Sequence, residues 1–236
     1  TAGISEVEGF MQSGEYALFM HGSMNTSFSY SDGGAYADPV LLTSWWFAAQ
    51  NDDPTLVYRE KMRLYDDDDK AYKDTPLDLD GRRYYRLLPA IIVAIRDFDV
   101  DSRQVTPPVK EVWSGQGEMP VVIVRHGWKF DGSDVYLGIK GGLANTWETS
   151  ITSHGHMDAG SFVFEADGVR WSDDIMRPPY GEWYAALRKA ETPRKYNVQD
   201  GVMWDTFRLS NLCHSTIISH TNDGSVKGKL HATDYD

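Results

Sequence analysis

The stretch "FVFEADGVRW", residues 162–171, constrains the fold more than any other part of the chain. Two β-branched and aromatic runs are joined by only two residues, Asp167 and Gly168. Aspartate followed by glycine tolerates the positive φ angles of a type I′ turn, and that turn matches the twist of paired strands. The stretch is therefore expected to form an antiparallel hairpin. The runs "MPVVIVRHGW", "DVYLGIKGG" and "HSTIISHTNDGSVKGKL" have the same character, short and divided by Gly and Asp. "LPAIIVAIRDF" is also rich in β-branched residues, and it fits either strand or helix. Several short strands separated by turn signals point to a mainly β chain built on an antiparallel β-sandwich.

The first third reads differently. "DPVLLTSWWFAAQ" offers Asp38 as an N-cap and Pro39 in the first turn, with Leu41, Leu42, Trp45, Trp46 and Ala49 as an apolar stripe. "PTLVYREKMRLY" restarts a helix with proline at its first turn. This pair is too small to stand alone, and its tryptophans need a partner surface. The expected division is a helical segment over residues 1–70 and an antiparallel β-sandwich, in part or whole, over residues 71–236. The "DDDDK" run at residues 66–70 reads as an acidic solvated loop. The excursion "IMRPPYGEWYAALRKAETPRKYNVQDG" is long enough to be a binding loop or lid.

Composition excludes some classes of partner. Hydrophobic residues at 41% and charged residues at 25% describe a globular chain rather than a disordered one. The net charge of -12 repels duplex nucleic acid, so no nucleic-acid partner is expected. It would also repel an anionic polysaccharide, unless local positive charge or a metal received it. No membrane-spanning run appears, and no membrane partner is expected. The lone Cys213 cannot form an intrachain disulfide, and beside His214 it reads as a small hydrophobe rather than a ligand.

"SHGHMDAGSF", residues 153–162, carries two histidines and an aspartate within five positions. In an extended chain, period two places His154 and His156 on one face, with Asp158 joining them. Paired imidazoles and a carboxylate suit a divalent metal such as zinc. They equally suit proton transfer near neutral pH, or a hydrogen-bonded polar strand end. Asp158 is also a possible acceptor for a histidine ring N–H.

"HGHMDAGSFVFEADGVRWSDD" resembles the heparinase II/III-like polysaccharide lyases, and within them the heparinase II side. "LCHSTI" resembles that family's later histidine segment, and "FSYSDGGAY" with the following helix resembles the end of its helical toroid. The resemblance covers most of the chain. It implies the end of an α/α toroid followed by sandwich layers, and β-elimination on uronic-acid-containing glycans such as glycosaminoglycans. It implies a periplasmic or extracellular location, an acidic polysaccharide substrate and a possible homodimer. It makes this chain a fragment, expected to show little activity alone, with other essential groups lying in toroid sequence upstream of Thr1.

The same resemblance implies that His154 is the catalytic histidine and that His156, Asp174 and His214 hold a zinc ion of structural role. Asp173 competes with Asp174, because this sequence departs from the family pattern there and Met176 stands where the family has glycine. Arg177 or Lys140 would counter the substrate's carboxylate or sulfate. Tyr180 and Tyr184 would donate a proton or stack on sugar, ordinary loop packing being the competing role. Two other functions stay open. One is a non-catalytic carbohydrate-binding or scaffold sandwich with a structural metal. The other is a zinc hydrolase, disfavoured because no His-Glu-x-x-His motif is present.

Overall fold

A computed structural model of the chain describes residues 3–35, 43–65, 104–115, 119–142, 155–174 and 206–217, together with Gly181 and Ala185. Its centre is a five-stranded antiparallel sheet in which neighbours in sequence are neighbours in space. The strands are β1 (Val112–Ser114), β2 (Val121–His126), β3 (Val135–Lys140), β4 (Phe162–Ala166) and β5 (Val169–Ser172). The chain is thus mainly β, as expected. The expected hairpin is β4–β5: Ala166 pairs with Val169, and Asp167 and Gly168 both take positive φ, 54° and 72°. Only β1 was not anticipated. "LPAIIVAIRDF", "DDDDK", the long excursion and the Asp38 cap lie outside the described residues.

Among the described residues three α-helices precede the sheet: α1 (Ser13–Phe19), α2 (Thr43–Asn51) and α3 (Tyr58–Tyr65). A short 3-10 turn at Pro54–Val57 leads into α3, and Asp53 caps it by accepting the Thr55 N–H at 2.9 Å. Proline starts this turn because the missing N–H would have no partner there anyway. Trp45, Phe47, Ala48, Leu56 and Val57 form a helical core, so Trp45 is a packing residue. Trp46, more exposed, meets Phe10 edge-on.

A second core joins α1 to the sheet through Leu18, Phe19, Phe28, Trp113, Val121, Ile123, Trp128, Tyr136 and Val163. Gly138 makes room for this packing, since a Cβ there would lie 3.0 Å from the Phe28 ring. The covered face of the sheet is unusually polar. Cross-strand register lines up Arg125, Tyr136, Glu165 and Arg170, and the first three are fully buried. The opposite face carries Val122, Val124, Ile139 and Phe162, all exposed. A second sheet layer is not among the described strands.

Each buried charge on the covered face has a partner. The Arg125 guanidinium lies 3.8 Å from the Trp128 ring centroid and donates to the backbone carbonyls of Gly127 and His21. Burial lowers its pKa to about 10, so it is charged at neutral pH. Glu165 accepts from Ser23 Oγ at 2.9 Å, the Met24 N–H at 3.0 Å and Arg170 Nε at 2.7 Å. The loop after α1 is fastened to β4 by that carboxylate.

Removing it would leave Arg170 Nε and the loop donors without their acceptor. Glu165→Ala is therefore expected to destabilise the fold by about 3–5 kcal/mol, the scale for breaking a buried pair from one side. Val124→Ala on the exposed face should cost far less. Urea unfolding of both variants tests this, and a small loss for Glu165→Ala would rule out the fastening role.

Candidate functional site

His156 and His214 meet beneath the loop that follows α1. His156 sits in the irregular segment leading to β4, and not on a strand as the period-two spacing suggested. Gly160, at φ 79°, turns that segment, and its N–H donates to the Lys140 carbonyl at 2.7 Å. His214 also arrives on a loop, directly after a 3-10 turn at Asn211–Cys213. The strand expected there is absent among the described residues. The two loops are tied by Met157 N–H to Leu209 carbonyl at 2.9 Å and Thr216 Oγ1 to Ala159 carbonyl at 2.6 Å.

The two imidazoles lie 5.3 Å apart, centroid to centroid, with planes inclined by 42°. Both are buried. Each has a carboxylate on one ring nitrogen. Asp32 Oδ1 is 2.9 Å from His156 Nε2, and Asp174 Oδ1 is 2.8 Å from His214 Nδ1. An ionised carboxylate only accepts, so the nitrogen facing it carries a proton, and in a neutral ring the other nitrogen is then a bare acceptor. His156 Nδ1, His214 Nε2 and Asp174 Oδ2 are all buried, with no hydrogen-bond partner among the described residues.

Buried acceptors without donors are costly unless a water or a cation meets them. No three His, Cys, Asp or Glu side chains are already gathered as a metal cage among the described residues. The donor set is nonetheless of the right chemistry: two neutral imidazoles and a carboxylate suit zinc, and histidine ligands usually hold a carboxylate on their other nitrogen. The residue types therefore suit the ion, although as placed Asp174 lies on His214 Nδ1, the far side of the ring from its free Nε2.

Asp173 and Asp174 are separated by the structure. Asp173 Oδ1 accepts from Ser29 Oγ at 2.7 Å and Arg170 Nη1 at 3.0 Å, facing away from the histidines. Asp174 is the buried one, at His214. Asp158 does not serve a histidine ring. One oxygen pairs with the Lys140 ammonium, and the other accepts from Ser31 N–H at 2.8 Å and Ser31 Oγ at 3.0 Å. Lys140 must also be reassigned. Strand alternation puts it on the covered face with no exposed surface, so it cannot meet a substrate. Burial raises the Cys213 thiol pKa, which disfavours the thiolate a metal would need.

His154, Arg177, Tyr180 and Tyr184 lie outside the described residues. Asp32 was missed in the sequence, where "SDGG" reads only as a loop. Its one signal was its place in "FSYSDGGAY". A scan against protein-family models finds no match, and a search of curated proteins finds none similar to this chain. Among the described residues no helix is long and apolar enough to cross a membrane.

Burial holds the His156 pKa below its ordinary 6.5, outweighing the Asp32 hydrogen bond that pulls it upward. Between the lowered folded value and the ordinary one, the unfolded chain binds more protons than the folded chain. Stability contributed by the neutral ring is thus complete above about pH 6.5 and lost as the pH falls through that window. An NMR titration of the metal-free chain should show His156 titrating below 6.5, with urea midpoints dropping over the same range. A ring that titrates above 6.5 would refute the assignment.

Proposed function

We propose that the chain is part of a polysaccharide lyase that cleaves uronic-acid-containing glycans by β-elimination. The observation that supports this reading is that His156 and His214, from separate stretches of sequence, lie buried 5.3 Å apart, centroid to centroid, with Asp174 hydrogen-bonded to His214. Those are the residues that the lyase resemblance pairs with zinc. In this reading they hold the ion, which supplies a cross-link between the segment before β4, the end of β5 and the loop bearing His214. The burial of both imidazoles favours that structural role over contact with a sugar.

The reaction removes the proton next to a uronate carboxyl and expels the 4-linked sugar. It needs a base, an acid and something to neutralise the carboxylate. His154, close in sequence to His156, takes or passes the proton. Tyr180 or Tyr184 donates to the leaving oxygen or stacks on the ring, and Arg177 faces the acidic group. The substrate is an acidic polysaccharide met outside the cytoplasm. With Lys140 committed to Asp158, Arg177 is the remaining cation assigned to that task.

Two measurements test the proposal. Metal analysis should find zinc bound, and alanine at His156, Asp174 or His214 should reduce it sharply. Unchanged zinc content across all three variants would refute the metal assignment. Activity is followed as absorbance of the unsaturated uronate product on heparan-, chondroitin-, ulvan- and alginate-like substrates. The assay uses the chain and a longer form bearing the toroid that the resemblance implies. His154→Ala should lower turnover by about 10²-fold or more. Full activity in that variant would remove His154 from the chemistry, and no cleavage of any substrate by the longer form would remove the lyase reading.

A further inference from the structure

The least expected feature of the site is the way Asp32 reaches it. Asp32 lies in a tight turn closed by Gly33 N–H donating to the Tyr30 carbonyl at 2.9 Å. Within that turn Ser31 takes a φ of 51°. A left-handed serine is sparsely populated and persists when its surroundings hold it. Here the holder is Asp158, which accepts from both the N–H and the hydroxyl of Ser31. Asp158 is fixed in turn by the Lys140 ammonium, and neither side chain has any exposed surface.

We infer that Asp32 is a positioning residue for His156, and that the buried Lys140–Asp158 pair sets it there through Ser31. The consequence is chemical. With Asp32 on Nε2, the neutral ring keeps its proton on that nitrogen, and Nδ1 is the bare acceptor in the buried site. Without Asp32, the two neutral tautomers would lie closer in energy, and the ring would be free to turn. The pair is costly to bury, and a well-packed apolar pair would serve stability as well. What an apolar pair would not supply is an acceptor for Ser31.

The assignment of a ligand to Nδ1 rests on the zinc reading above, but the tautomer itself does not. The test therefore begins with metal-free protein. Nitrogen-15 spectra of the histidine rings, with His156 identified by its loss in His156→Gln, should show a single Nε2–H tautomer. Asp32→Ala should turn this into a mixture. So should Lys140→Met/Asp158→Leu, which replaces the pair by apolar groups, and the urea midpoint of that double variant should change little. Ser31→Gly keeps the left-handed turn and removes one bond to Asp158, and it should give a partial loss.

Zinc affinity, read by competition with a chelating dye, should fall about 10–100-fold in Asp32→Ala and in the double variant, the usual scale for losing a partner behind a ligand. An unchanged tautomer in Asp32→Ala would overturn the role of Asp32. An unchanged tautomer in both Ser31→Gly and the double variant would overturn the role of the pair. Should the double variant fail to fold, Ser31→Gly decides the second point alone. Absence of zinc binding by the unaltered chain would remove the metal reading, while the tautomer comparison would still decide this one.

Discussion

The buried carboxylate of Glu165 is the constraint on which the rest of the structure depends. It stands in the middle of the sheet's covered face, where a charge is tolerated only if it is paired and hydrogen-bonded. Its acceptor sites are filled by Arg170 across the β4–β5 hairpin and by Ser23 and Met24 from the loop after α1. Arg170 then reaches the Ser27 carbonyl at 2.8 Å and Asp173. A stretch of chain with little regular structure is thereby registered against the hairpin at several points. Asp32, a few residues further on, is carried to His156 by that registration. Gly22 belongs to the same arrangement, since a Cβ there would lie 2.4 Å from the Glu165 carboxylate.

Strand β3 inverts the usual distribution of polarity, and this explains what the sequence could and could not convey. Asp167-Gly168 announced its hairpin because a two-residue connection carries its own backbone requirement. The strands "VVIVRH" and "VYLGIK" were legible by composition, but not their orientation. Alternation in β3 offers Val135, Leu137 and Ile139 against Tyr136, Gly138 and Lys140, and the apolar set looks like the buried one. The structure buries the other set, because Phe28 needs the space over Gly138 and Asp158 waits for Lys140. Partners so distant in sequence leave no local signal. That is why Lys140 reads as a substrate contact and turns out to be internal.

The same reasoning separates the legible half of the site from the hidden half. His156, Asp174 and His214 stood out through residue type and family resemblance, and the choice between Asp173 and Asp174 needed only the direction of two neighbouring side chains. Asp32 and Ser31 had no comparable mark. Their contribution comes from a turn whose conformation is set by Asp158, far away in sequence. The β-branched "HSTII" points to a strand at His214. The 3-10 turn before it and the Ser172–Ser215 hydroxyl contact at 2.7 Å fix a loop there instead.

A cross-link between the two histidine-bearing loops would act where regular structure acts least. The loop at residues 206–217 has no strand partner among the described residues. Bonds that hold it include Met157 to Leu209, Thr216 to Ala159, Ser215 to Ser172 and His214 to Asp174. Hydrogen bonds of this kind contribute about 1 kcal/mol each, and regular structure adds little to them here. An ion binding only the folded form would add stability in proportion to its affinity, concentrated on this contact. His156 Nδ1, His214 Nε2 and Asp174 Oδ2, buried with no hydrogen-bond partner among the described residues, lie beside this loop, whereas Glu165 and the Lys140–Asp158 pair are buried with their charges paired. The site thus joins a half of paired charges to a half in which three buried polar atoms have no hydrogen-bond partner among the described residues, and an ion of the proposed kind would act on that second half.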